Sequence, residues 1–172
     1  MKKKLFLGLA LSALMTTMVP VFAAGDELNK DVTQGETIVS YEVAQGFTIT
    51  IPADLELTTE ANTTAQLLEA KDVRLTTNET LTVTMRSDEY DATDKYRVRF
   101  DNSFIKYEVK SGTAEDAVNT AITENEKVLL TLASGTTGDK LYLKFFTDEE
   151  KIKEATQSGV HTDTLTFTCE IN

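Results

Sequence analysis

Few side chains in this chain are equipped for chemistry. Its 172 residues hold one histidine, His161, and one cysteine, Cys169. A serine or threonine nucleophile would need His161 as its base, and no Gly-x-Ser-x-Gly elbow presents such a hydroxyl. One His and one Cys fall short of a zinc centre, which takes three or four protein ligands. Asp88, Glu89, Asp91 and Asp94 crowd one stretch, where Asp88, Asp91 and Asp94 are candidate oxygen ligands for Ca²⁺. Their spacing matches no calcium-loop pattern, and a solvated acidic loop is the competing reading. Just after them, Arg97, Arg99, Lys106 and Lys110 form the one basic group in an acidic protein. Gathered on one face they would hold an anion; the competing reading pairs them with Glu108 and nearby carboxylates. The expectation is a protein without catalytic residues, metal centre or cofactor.

The elements that must position these residues read as strands. Leu165, Phe167, Cys169 and Ile171 alternate with Thr164, Thr166, Thr168 and Glu170, the period of a strand with one buried face. The same alternation marks Val39-Tyr41-Val43, Phe47-Ile49-Ile51, Leu81-Val83-Met85 and Leu141-Leu143-Phe145. Leu55-Glu56-Leu57 reads as a brief strand and Val128 to Leu132 as a buried one. Gln66 to Leu75 is a strand that could also begin as a helix, and Thr113 to Asn125 allows a short helix. Thr147 with Glu150 has the spacing of a capping box for a helix running to Ala155. Tyr96 to Val109 reads as a hairpin. With Asn102-Ser103 as its loop, Phe100 faces Ile105, Val98 faces Tyr107 and Tyr96 faces Val109. The outer face then sets Arg97 against Glu108 and Arg99 against Lys106, and a bound anion would relieve the second pair. Eight or nine short strands with at most two short helices define an all-β fold, an antiparallel two-sheet immunoglobulin-like sandwich.

Met1 to Ala23 does not belong to that fold. Lys2, Lys3 and Lys4 precede an apolar run from Leu5 to Val19, and Val21-Phe22-Ala23 suits a signal peptidase, so cleavage is expected after Ala23. The run is shorter than the ~20 residues of a membrane span. Residues 24–36 read as a flexible lead-in and 37–172 as one domain. The whole chain carries 17 basic and 28 acidic residues for a net charge of −11; losing three lysines with the leader leaves 14 against 28, or −14. Such a surface repels phosphate backbones, which disfavours nucleic acid as a partner. A single cysteine permits no intrachain disulfide, so packing alone must hold the fold. Cys169 lies on the apolar face of its strand and is expected to be reduced core.

Val39-Ser40-Tyr41-Glu42-Val43 followed by Phe47-Thr48-Ile49-Thr50-Ile51-Pro52 resembles the opening of secreted immunoglobulin-like modules of Gram-positive bacteria. Gly159-x-His161-Thr162-Asp163-Thr164-Leu165-Thr166-Phe167 resembles their closing strand, which pilin-like sandwich subunits share. His161 stands where those modules usually carry Tyr, and the absence of Trp removes a WxL-type wall-binding module. The resemblance implies a non-catalytic extracellular structural or adhesive protein at the cell surface. Its partners would be surface or matrix proteins, with no membrane contact after leader cleavage, as a monomer or a strand-exchange assembly. The alternative is a carbohydrate- or anionic wall-polymer-binding module, for which Tyr90 and Tyr142 are the available aromatic platforms. If the leader reading holds, N-terminal sequencing of secreted protein begins at Ala24; a membrane-bound product that retains Met1 to Ala23 overturns it.

Overall fold

A computed structural model describes residues 39–172. The expected leader and the whole of the lead-in lie outside the described residues. The chain divides into two units, Met1–Ala44 and Gln45–Asn172. Every described strand belongs to the second: β1 (Gly46–Thr50), β2 (Thr58–Thr59), β3 (Gln66–Arg74), β4 (Thr80–Ser87), β5 (Arg97–Phe100), β6 (Ser103–Lys106), β7 (Glu108–Gly112), β8 (Thr120–Ile122), β9 (Lys127–Ala133), β10 (Asp139–Thr147) and β11 (Leu165–Ile171). One short helix, α1 (Glu149–Lys153), and one 3₁₀ turn, Glu60–Asn62, complete the described elements.

The fold is an all-β sandwich. Its larger sheet runs β1-β3-β10-β7-β8 and its smaller one β11-β4-β9, with β5 and β6 as a separate ribbon. Pairing is antiparallel except where β2 joins the end of β10 in parallel, Phe146 opposite Thr58. Strand β4 lies at the centre of the smaller sheet, and its Leu81, Val83 and Met85 are each 0 % exposed. Leu81 packs with Ala70, Val73 and Leu132; Met85 packs with Tyr96, Tyr107, Val109, Ile122, Leu143 and Phe145. One face of one strand thus touches both halves of the core, while Thr82 and Thr84 on its other face are half-buried.

Several expectations change in detail. Strand β3 replaces the helical alternative for Gln66 to Leu75. Its buried positions step by two from Leu68 to Ala70 and by three to Val73, because Asp72 takes a left-handed φ of 53° and inserts an extra residue opposite β1. A second irregularity places Val83 opposite Leu130 and Thr84 opposite Val128, leaving Leu129 as the extra residue of β9. Thr113 to Asn125 holds the short strand β8 rather than a helix, and the brief strand falls at Thr58–Thr59 instead of Leu55 to Leu57. The cap of α1 is Asp148, whose Oδ1 accepts from the Lys151 amide at 2.8 Å, while Thr147 donates to the Lys106 carbonyl at 2.7 Å. Val39 to Ala44 form no strand, and Val39, Tyr41 and Val43 are 92, 90 and 66 % exposed. A lone strand has nothing to satisfy its backbone except water, so alternation without a neighbour does not make one.

The hairpin forms two residues out of the expected register. Phe100 pairs with Ser103 and Val98 with Ile105, so the loop is Asp101-Asn102, with Asp101 at φ 51°. Arg97 therefore faces Lys106, and Arg99 faces Phe104. The ladder continues to Tyr107, whose amide donates to the Tyr96 carbonyl at 3.0 Å, and then the chain leaves for β7 in the larger sheet. A slip of one residue would turn every apolar side chain outward, but a slip of two preserves both faces. The alternation in this stretch fixed which side each residue faces and left its partner open. Because β4 is the strand on which both core clusters meet, Leu81→Ala is expected to cost about 2–5 kcal/mol. Thr82→Ala, one residue along, should cost under about 1 kcal/mol; equal shifts of the urea midpoint would contradict this placement of the core.

Candidate functional site

The two charged groups picked out as separate candidate sites prove to be neighbours. Arg97 lies 3.6 Å from Asp91 and 4.0 Å from Asp94, Arg99 lies 3.6 Å from Glu89, and Lys106 lies 3.0 Å from Asp94 and 3.8 Å from Glu154. Asp94 thus sits between two cations that the ribbon holds opposite one another, and its hydrogen bond and charge raise the Lys106 ammonium above its ordinary pKa. Arg97 and Arg99 also cover the Phe104 ring, at 4.3 and 5.9 Å from its centroid. Lys110 does not join this face: it stands on β7, 2.9 Å from Glu60 and over Phe146.

The acidic stretch is equally occupied. Asp91 Oδ1 accepts from the amides of Thr93 and Asp94 at 2.8 and 2.9 Å, and these bonds hold its carboxyl below the usual range. Asp88 pairs with Arg86 at 2.8 Å. Among the described residues no three His, Cys, Asp or Glu side chains converge as metal ligands. Of the aromatic candidates, Tyr90 donates to the Thr123 carbonyl at 2.7 Å and stacks edge-on against Tyr96, and Tyr142 is half-buried on β10.

The closing motif contains two knots that sequence reasoning did not single out. Asp163 Oδ2 accepts from Ser87 Oγ at 2.7 Å and from the Tyr107 hydroxyl at 2.6 Å, while Oδ1 accepts from the Glu89 amide at 3.1 Å. Asn125 completes the tie by accepting from the Ser87 amide at 2.8 Å and donating to its carbonyl at 3.3 Å. One carboxylate therefore fastens the end of β4, the end of the ribbon and the entry to β11. Burial, and then the adjacent Asp163 charge, push the Tyr107 phenol far above its ordinary pKa. Burial is also the main cause that raises Tyr96 to about 12, and its hydroxyl donates to the Glu124 carbonyl at 2.7 Å.

The second knot joins His161 to Ser103, with Nε2 and Oγ 2.9 Å apart. That spacing suits a base and its nucleophile, but the buried Ser103 oxygen already accepts from the amides of Thr156 at 3.0 Å and Gln157 at 3.2 Å. Two lone pairs are thereby occupied, so the hydroxyl proton points at Nε2 and the ring proton is assigned to Nδ1, 3.1 Å from the Gly159 carbonyl. The pair pins the chain between α1 and β11. Beside it, a Cβ at Gly159 would stand 2.7 Å from the Phe100 ring, so a side chain at this motif position would have to displace that ring. Cys169 is a half-buried free thiol packed against the Ala70, Val73, Leu81 and Leu132 cluster, and desolvation raises its pKa.

Around the motif opens a largely apolar groove of about 700 Å³. Its walls are Ile51 to Leu57 on one side, Val98 and Ile105 of the ribbon on another, and Gly159 to Leu165 with Phe167 on a third; Tyr107 and Phe145 contribute buried surface. It lies at the open border of the smaller sheet. Strand β11 pairs with β4 alone, and Thr80 and Asn172 exchange both backbone hydrogen bonds at 2.9 Å. In an antiparallel ladder that alternation turns the amides and carbonyls of Leu165, Phe167, Cys169 and Ile171 away from β4. Among the described residues those groups have no backbone partner. Their side chains face inward yet remain only partly covered, unlike Leu81, Val83 and Met85 next door.

The class this defines is an all-β sandwich with an apolar groove along a strand that, among the described residues, is paired on one side only. No protein-family model, curated protein or solved structure matches the chain. The buried phenols generate a test with a definite sign. Folding holds Tyr96 and Tyr107 protonated beyond the unfolded value of about 10, so their contribution is full below pH ~10 and is lost as pH climbs past it. Urea midpoints should fall above that pH, and Tyr107→Phe should flatten the fall while lowering stability at neutral pH by about 1–3 kcal/mol through the lost hydrogen bond to the Asp163 carboxylate, which keeps Ser87 and the Glu89 amide. An unchanged slope would remove Tyr107 from this role.

Proposed function

We propose that this chain is a non-catalytic structural or adhesive protein of the Gram-positive cell surface, exported and acting through contacts with other polypeptides. The observation that carries the reading is the groove beside β11. It offers apolar surface and a row of outward-directed backbone groups together, which is what an extended polypeptide needs and what a sugar or a polyanion does not use. The charges bear on the same choice: Arg97, Arg99, Lys106 and Lys110 each have a carboxylate within 4.0 Å. The one serine within reach of His161 has its oxygen fully engaged, which supports a binding role over a hydrolytic one.

Two variants test the reading without touching the core. Val160 is 80 % exposed and Leu55 is partly exposed, and both line the groove. Val160→Arg and Leu55→Arg should leave the unfolding midpoint in place and lose retention on isolated cell-surface material. Wild-type retention should vanish after that material is treated with protease. Retention on protease-treated wall, weakened by salt and by Arg99→Ala/Lys106→Ala, would instead establish the anionic wall-polymer alternative.

A further inference from the structure

We infer that the groove along β11 receives residues Val39–Val43 of a second copy of this chain, added as a further strand of the smaller sheet. The inference rests on the reading above and names the partner. Val39, Tyr41 and Val43 alternate with Ser40 and Glu42 in the pattern of a half-buried strand, yet they stand in solvent. Exposed apolar side chains at alternate positions are half of a sheet contact. The other half is β11, where Leu165, Phe167 and Cys169 direct their backbone groups outward and their side chains to the partly covered inner face. A residue paired directly opposite one of these places its own side chain on the same face. A strand hydrogen-bonded there would lower Val39, Tyr41 and Val43 into the groove and leave Ser40 and Glu42 outside, beside Thr166 and Thr168.

Reach selects the second copy over the first. Gln45, at the root of the segment, is tied through its side-chain amide to Thr76 and Glu79. Glu79 adjoins Thr80, which pairs with Asn172, so the segment starts near the Asn172 end of β11. The groove lies at the other end, around Leu165 and Phe167. From Asn172 back to Leu165 the strand covers roughly 23 Å at about 3.3 Å per residue. A fully extended chain from Gln45 brings Val43 about 7 Å, Tyr41 about 13 Å and Val39 about 20 Å along that path. A copy's own segment therefore delivers at most Val39 to the groove, whereas another copy's segment can deliver all three side chains. Donor and acceptor are different surfaces, so the contact is head-to-tail and propagates into chains of subunits unless a ring closes.

The native cysteine makes the test simple, because Cys169 is the only thiol and lies on the acceptor strand. Full-length chains carrying Val39→Cys, Tyr41→Cys or Val43→Cys, treated with a short bis-maleimide, should give a ladder of covalent dimers and larger species. The ladder should disappear when Cys169→Ser is added and be absent from Ser40→Cys. Tyr41→Asp should reduce the sedimenting mass of the otherwise native chain to that of a monomer with no change in its unfolding midpoint. Cross-linking confined to single chains, an equal ladder from Ser40→Cys, or a wild-type chain that is monomeric at every concentration overturns the inference. In those cases, loss of protease-sensitive retention in Val160→Arg still upholds the functional reading. A ladder without such retention upholds self-assembly and overturns surface binding.

Discussion

Burial of one face of β4 is the constraint on which the rest of this structure depends. With a single cysteine there is no intrachain disulfide to restrain the unfolded chain, which leaves stability to packing and hydrogen bonding. Leu81, Val83 and Met85 stand in one row, and strands from both ends of the chain close over them. The row's first residue meets β3 and β9; its last meets β7, β8, β10 and the two buried tyrosines. The polar knots lie around this row rather than in it. Asp163, Ser87 and Tyr107 tie off its Met85 end, and among the described residues no buried side-chain nitrogen or oxygen is left without a hydrogen-bond partner.

Strands β4, β10 and β11 were legible in the sequence because Leu81-Val83-Met85, Leu141-Leu143-Phe145 and Leu165-Phe167-Cys169 place apolar residues at every second position. Strand β3 was harder, since the residue inserted at Asp72 changes the phase from even to odd and imitates the spacing of a helix. The ribbon was legible in its faces and not in its partners, for the parity reason given by its two-residue shift. Val39 to Val43 carried the clearest opening pattern and yet forms no strand, since alternation reports what a segment could bury and not whether anything covers it.

The candidate site was less legible still. Asp88, Asp91 and Asp94 were read against Arg97, Arg99 and Lys106 as two sites of opposite sign, when the loop folds back and brings most of them together. Charge clusters that follow one another closely in sequence are the natural partners of one another, and only the turn at Asp91 through Lys95 decides it. Asp163 and Ser103 act across separations of 76 and 58 residues, and nothing local to either distinguishes them from other small polar residues. Asp163 did appear in the motif that drew attention to the closing strand. Its hydrogen bonds supply a physical reason for an aspartate at that place.

The pairing of β11 with β4 also sets a timetable. Asn172 bonds Thr82 across 90 residues of chain, and every rung of that ladder is similarly distant in sequence. During synthesis β4 and β9 are available long before β11, so the inner row stays open on one flank until Leu165 to Ile171 arrive. Loop closure over such a length is entropically costly before any contact repays it, which places folding among the slow, non-local class. A chain that cannot complete its smaller sheet early keeps that flank open until β11 is made, and its core is closed only where β11 meets β4.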